Sequence, residues 1–202
     1  MSFFRKFEIS LAIAIVTSII FSIFSFAQTS EEIRNDVLRL HVLANSDSVT
    51  DQNLKIAVRD AILSEGAELF NGSVTKDNAV EKIIPELDRL KLIAEQVISE
   101  RGYDYSVSVE LAEEYFETRT YEDITLPAGE YLSLIIKIGE AQGKNWWCVM
   151  FPPMCVSAAD KYDELNNVFN KNEINLVSKK PKYEPRFKII EIYESLKDKF
   201  KN

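Results

Sequence analysis

The rhythm of apolar and polar positions changes several times along the chain, and each change marks an element. Ile9–Ala27 carries no charge and follows a short basic stretch, Arg5 and Lys6. About 20 apolar residues span a bilayer, whereas a signal-peptide core has about 7–15. Ser25-Phe26-Ala27 ahead of Gln28 also satisfies the small-x-small rule for signal peptidase. Two readings therefore stand side by side: residues 1–27 are a signal peptide cut after Ala27, or an uncleaved membrane anchor. In both, the basic flank stays inside and residues 28–202 are exported.

Beyond a polar lead-in, Thr29–Asp36, the period becomes two. Leu38, Leu40 and Val42 alternate with Arg39 and His41, which predicts a half-buried strand over Val37–Leu43 with His41 on its polar or helix-facing side. Ala44–Ser48 is a turn by composition. Thr50 is then expected to cap a helix, with Asp51 in its first turn facing the positive end of the dipole. Leu54, Ala57, Val58, Ala61 and Ile62 form its apolar stripe, and it should end near Gly66. Asn71–Thr75 is a loop, and helical spacing returns over Lys76–Arg101. Pro85 should kink or split that helix, and Gly102 should end it.

Period two returns at Tyr105, Val107, Val109 and Leu111, and Tyr115–Tyr121 reads as the next strand. Tyr131–Ile138 is apolar on both faces and should be central. Gly139–Lys144 then predicts a hairpin returning into a strand over Asn145–Phe151. A short helix over Ala158–Phe169, a polar stretch over Asn170–Pro185 and a last helix over Arg186–Phe200 complete the chain, with Phe187, Ile190, Tyr193, Leu196 and Phe200 on one face. This order implies an α+β domain over 28–202: a mainly antiparallel sheet with helices packed on one face, preceded by the signal or anchor helix.

Charge narrows the function. The formal net charge is −8, and Arg5, Lys6 and Glu8 leave the first 27 residues at +1, so the remainder carries −9. That argues against a nucleic-acid partner, which needs a basic face. Lys179–Asn202 holds eight Lys/Arg against four Asp/Glu, net +4. It reads as a lysine-rich surface helix, with attraction to an anionic membrane or an acidic partner loop as the alternative. Cys148 and Cys155 are the chain's two cysteines, and in an exported protein they read as one disulfide. With His41 as the single histidine they fall one ligand short of a structural zinc site.

Catalytic patterns are absent: there is no G-x-x-x-x-G-K-[ST], G-x-S-x-G or H-E-x-x-H. A nucleophile needs an adjacent base, so the enzyme alternative is an exported hydrolase or thiol enzyme using His41, a carboxylate or a reduced cysteine. Asn45, Asp47 and Asp51 invite a calcium reading, but counting from Asn45 puts Thr50 and Ile56 where an EF-hand needs glycine and glutamate. No catalytic residue, metal or cofactor is therefore expected. The densest stretch is Gly143–Cys155, GKNWWCVMFPPMC. Trp146 and Trp147 should face opposite sides of a strand. Phe151, Pro152 and Pro153 extend an apolar corner that a Cys148–Cys155 bridge would stiffen, which lowers the entropy cost of binding.

Two blocks carry a resemblance. Leu38–Leu63, LRLHVLANSDSVTDQNLKIAVRDAIL, and Leu126–Cys155, LPAGEYLSLIIKIGEAQGKNWWCVMFPPMC, closely resemble the RLHV-ANSD-DQ-LK-VRDA and LPAGEY…IGEG-G-NWWCV-FPPLC blocks of the stage II sporulation protein R family. The chain departs from them mildly, at Ala141-Gln142 and Met154, and the likeness covers roughly Glu32–Val156. The resemblance implies a non-enzymatic signal exported across the forespore membrane into the intermembrane space. There its partner would be a membrane-embedded aspartic protease that processes the sigma-E precursor. The corresponding expectation is a partner-binding surface built from Trp146–Cys155 and the loop-helix Asn45–Asp60, including Asn45, Asp47, Asp51 and Gln52.

Overall fold

The structure is a computed structural model and describes residues 3–69, 73, 75–121, 124–154, 168–177, 187–188 and 190–194. The chain divides into two compact units. One comprises residues 35–116 and 130–171, the other residues 1–34, 117–129 and 172–202.

The larger unit is α+β. Its strands are β1 (Leu38–Leu43), β2 (Val107–Phe116), β5 (Gly129–Ile138) and β6 (Asn145–Phe151), in the spatial order β2-β5-β1-β6. β1 runs parallel to β5, with Leu40 opposite Leu134, and antiparallel to β6, with Leu40 opposite Cys148. The sheet is therefore mixed. The expected hairpin between β5 and β6 does not form, because β1 lies between them and takes both edges. A six-residue loop is long enough to step over one intervening strand, since neighbouring strands are about 4.8 Å apart.

Helices α2 (Val49–Leu69), α3 (Lys76–Ile83) and α4 (Leu87–Glu100) supply the other half of the core. Leu54, Val58, Ile62, Ile83, Leu90, Ala94 and Ile98 cluster with Leu38, Leu40, Val42, Leu134, Ile136 and Met150. Burying one such side chain is worth about 1.5–3 kcal/mol. Pro85 splits the long helical stretch as its ring geometry requires: a single 3₁₀ turn, Ile84–Glu86, separates α3 from α4. Thr75 caps α3 by accepting from the Asn78 amide at 3.2 Å. Gly102, with φ +80°, ends α4, and its amide bonds back to the Ser99 carbonyl. The cap of α2 is Ser48 rather than Thr50: Ser48 Oγ accepts from the Asp51 amide at 3.1 Å, and the Gln52 amide reaches the Ser48 carbonyl. The helix starts two residues early because Ser48 already has a side-chain oxygen in the capping position. α2 also runs past Gly66 to Leu69.

The second unit contains helix α1 (Phe3–Asp36), a small antiparallel pair β3 (Arg119–Tyr121) and β4 (Ile124–Leu126), most of α5 (Lys171–Val177), and the helical residues 187, 188 and 190–194. The stretch read as one strand over Tyr115–Tyr121 is thus two, β2 ending at Phe116 and β3 beginning at Arg119. Phe26, Ser30 and Ile33 are buried in α1, as are Leu126, Leu176, Phe187 and Ile190 elsewhere in the unit. The Phe26 and Phe187 rings meet edge to face at 5.2 Å. By contrast Phe3, Phe7, Ile13, Ile20 and Phe24 are exposed. The helix is long and apolar enough to cross a membrane, with only 6% of its most apolar window buried. All of the helix expected over Ala158–Phe169 except Val168 and Phe169, most of the loop Asn71–Thr75, and Leu196, Phe200 and Cys155 lie outside the described residues.

Candidate functional site

The two sequence-dense blocks meet at the end of the sheet where β1 and β5 terminate. The loop after β5 crosses the end of β1 and is bonded along its length to the loop after β1. Gly143 donates to the Ala44 carbonyl at 2.9 Å and Gln142 to the Asn45 carbonyl at 3.2 Å. Glu140 donates its amide to Asn45 Oδ1 at 3.0 Å, and Lys144 donates its amide to Asp47 Oδ1 at 2.6 Å. Glycine is needed at two points. A Cβ at Gly143 would run into the Ser46 carbonyl, and one at Gly139, which has φ +57°, into the Asn45 side chain.

Beneath the loops lies a polar network on α2. Asp51 is 4% exposed. Its carboxylate accepts from Ser46 Oγ at 2.5 Å, Asn45 Nδ2 at 2.9 Å and the Tyr105 hydroxyl at 3.2 Å. The Ser46 bond above all, with those from Asn45, Tyr105 and Ser48, holds its pKa below the usual carboxylate value against the opposing effect of burial. Burial, and then the Asp51 bond and charge, push the Tyr105 hydroxyl up. Lys55, buried at 3% exposure, donates to Gln52 Oε1 at 2.6 Å and the Lys144 carbonyl at 2.8 Å. Desolvation lowers its pKa, opposed by Asp47 and aided by Arg59 and Lys144. Gln52 completes the lashing by donating to the Ser46 carbonyl at 2.9 Å. Asn45, Asp47, Asp51 and Gln52 thus come together, each already engaged by the fold itself.

The tryptophans flank this network from opposite faces of β6. Trp146 is paired with Val42, packs on the core cluster, and lies 4.2 Å from the Arg59 guanidinium. Trp147 is paired with His41 and its ring lies 5.7 Å from the imidazole and 6.1 Å from Phe116. Both are half-buried. Phe151 is buried in the core, Pro152 is buried and Pro153 half-buried; the Phe151–Pro152 peptide is cis. Cys148 is disulfide-bonded.

The second sheet face decides between the polar and the covered reading of His41: both it and Arg39 are buried. Arg39 is fully buried, its guanidinium 4.2 Å from the Phe116 ring centre and 5.0 Å from that of Tyr131, its Nε donating to the Cys148 carbonyl at 3.1 Å. His41 is 3% exposed, with Nδ1 at 2.6 Å from Glu114 Oε2. The cause is β5: Tyr131, Ser133 and Ile135 are buried on this same face, so it is covered rather than solvated. The two-sided apolar run of β5 was the signal for this, since a strand buried on both faces demands cover on both. Sequence reasoning gave no role to Glu114, Tyr105 or Lys55, which no short motif marks.

Ser133 Oγ and His41 Nε2 are both buried without a hydrogen-bond partner, so no serine–histidine bond joins them. Among the described residues no group of three His, Cys, Asp or Glu side chains is placed to hold a metal.

These features define the class: an α+β protein carrying an N-terminal helix long and apolar enough to cross a membrane. The family model described as stage II sporulation protein R matches residues 34–161, and the chain belongs to that family. It is similar to "Stage II sporulation protein R" of Bacillus subtilis (strain 168), with 38% identity over 133 residues. That match covers 64% of this chain and 59% of the relative, so the chain spans less than two thirds of the curated relative's length. No solved structure matches the chain.

Proposed function

We propose that the protein is an exported, non-enzymatic signal that binds a membrane-embedded aspartic protease and promotes processing of the sigma-E precursor. The observation that carries this reading is the union of the two family blocks in one rigid edge. Their polar residues are spent on fixing the loops to each other, and a rigid loop binds at lower entropy cost. Such proteases need two carboxylates sharing a proton, so a ligand favouring the paired form would raise activity by shifting that equilibrium. In this proposal a Cys148–Cys155 bridge stiffens the far end of β6.

Phe151 lies at the other end of β6 from this edge, opposite Leu38. Trp146 and Trp147 flank the edge, and its exposed residues make the contact. Val49, a valine 76% exposed at the start of α2, is the clearest of these; Gln142 and Asn145 are exposed beside the same crossing. Co-production of the chain with the protease and precursor tests this. Val49→Glu should lower processing at least ~10-fold, about 1.4 kcal/mol of binding, with export and thermal midpoint unchanged. Processing at the unmodified rate would show that this edge is not the contact surface, and failure to co-purify with the protease would remove the partner.

A further inference from the structure

We infer that the Ala27–Gln28 bond stays intact and that α1 is a permanent bilayer anchor rather than a removable leader; the inference rests on the export reading. The helix runs unbroken through the bond, from Phe3 to Asp36. Its far end is built into its own unit. Phe26 is 4% exposed and meets Phe187 edge to face, while Ser30 and Ile33 are 0% exposed. Ser30 Oγ donates to the Phe26 carbonyl at 2.8 Å, and Thr29 Oγ1 to that of Ser25 at 3.1 Å, both bonds straddling the peptide a signal peptidase would cut. One turn further, Arg34 donates to the Ala128 carbonyl at 3.1 Å and pairs with Glu194 at 3.4 Å.

Cutting after Ala27 would remove Phe26 from beneath Phe187 and take away the acceptor of a buried hydroxyl. It would also leave the new helix start with unpaired amides. A peptide recognised as an extended strand would first have to be unwound here. The rest of the helix has the dimensions of a span. The charge-free run outside the unit, residues 9–25, extends about 26 Å at 1.5 Å per residue, a little under the hydrocarbon thickness of about 30 Å, and the flanking Arg5 and Lys6 can cover the difference by snorkelling. Large apolar side chains are exposed along this stretch. At the end of the helix nearer the unit, Ser22, Ser25, Thr29, Asn172 and Asn175 line one polar groove. The occupant of the exposed apolar surface is therefore lipid.

The test uses the full chain, tagged at its C-terminus and produced in a Gram-positive host. Protease added to protoplasts reports export, alkaline extraction of membranes reports insertion, and N-terminal sequencing reports cleavage. The expected result is an uncut chain, digested from outside and retained in the alkali-washed membrane. An exported product beginning at Gln28 would overturn the anchor while leaving export standing. A chain resistant to outside protease would overturn the export reading and the anchor with it. An intact chain released by alkali would mean that protein, not lipid, covers the helix. In detergent, amide exchange over residues 24–34 should be slow and rise at least ~10-fold in Phe187→Ala; fast exchange in the unmodified chain would refute the clamp.

Discussion

Replacing Asp51 by asparagine keeps the size of the side chain and removes its charge. Three donors converge on this carboxylate, from Asn45, Ser46 and Tyr105. Hydrogen bonds to a charged group contribute about 1.5–3 kcal/mol each, but bonds sharing one acceptor group are not additive. Asparagine retains one acceptor oxygen and loses the favourable charge at the α2 start, about 0.3–1 kcal/mol. The expected cost at pH 7 is about 2–3 kcal/mol. With a urea dependence of about 2 kcal/mol per molar, the unfolding midpoint should fall by about 1–1.5 M. Trp146 and Trp147 are the chain's two tryptophans, so intrinsic fluorescence of the detergent-solubilised chain follows this unit directly. The difference should also depend on pH with a definite sign. Asp51 has a folded-state pKa below its ordinary 3.8. Its stabilisation is complete above that ordinary value and is lost as the pH falls through the lower folded-state value. The gap between the two proteins should therefore close in acid. A midpoint shift under about 0.3 M at pH 7, or a gap unchanged from pH 7 to pH 2, would refute the assignment of Asp51 as the hub of the loop network.

Two further substitutions probe the same edge. Gly143→Ala sets a methyl group against the Ser46 carbonyl and Ala44; it should destabilise by about 1–3 kcal/mol in urea titration. A cost below about 0.5 kcal/mol would mean the loops separate easily. Arg59→Ala removes the cation from the Trp146 face and should cost about 0.5–1 kcal/mol, with a change in tryptophan emission; an unaltered spectrum would show that Trp146 does not feel Arg59.

The helical half of the larger unit was legible because its cues are local. Apolar spacing marks α2 to α4, Pro85 marks their division, and Gly102 marks their end. The existence and extent of β5 and β6 were legible for the same reason. Their pairing was not, because the Gly139–Lys144 loop fits a hairpin and a step over one strand equally well, and the residues that decide between them lie in β1. His41 illustrates the limit within the site. Its place on a strand follows from alternation, but its burial depends on what β5 presents beside it, and its bond to Glu114 joins positions 73 apart. The lashing of Asn45 and Asp47 to residues 140–144 is equally non-local. The two motifs could be seen as dense, but their meeting could not be read from either one.

The central position of β1 also sets a timetable for the chain. Leu40 lies early in the chain, yet the partners on both its flanks, Leu134 and Cys148, stand 94 and 108 residues later. Helical hairpins close early because their contacts are short in sequence, and a strand awaiting distant neighbours closes late. If the chain is exported as proposed above, that delay keeps the segment already delivered from locking into its final sheet before the remainder has passed. Completion of the sheet would then coincide with completion of passage.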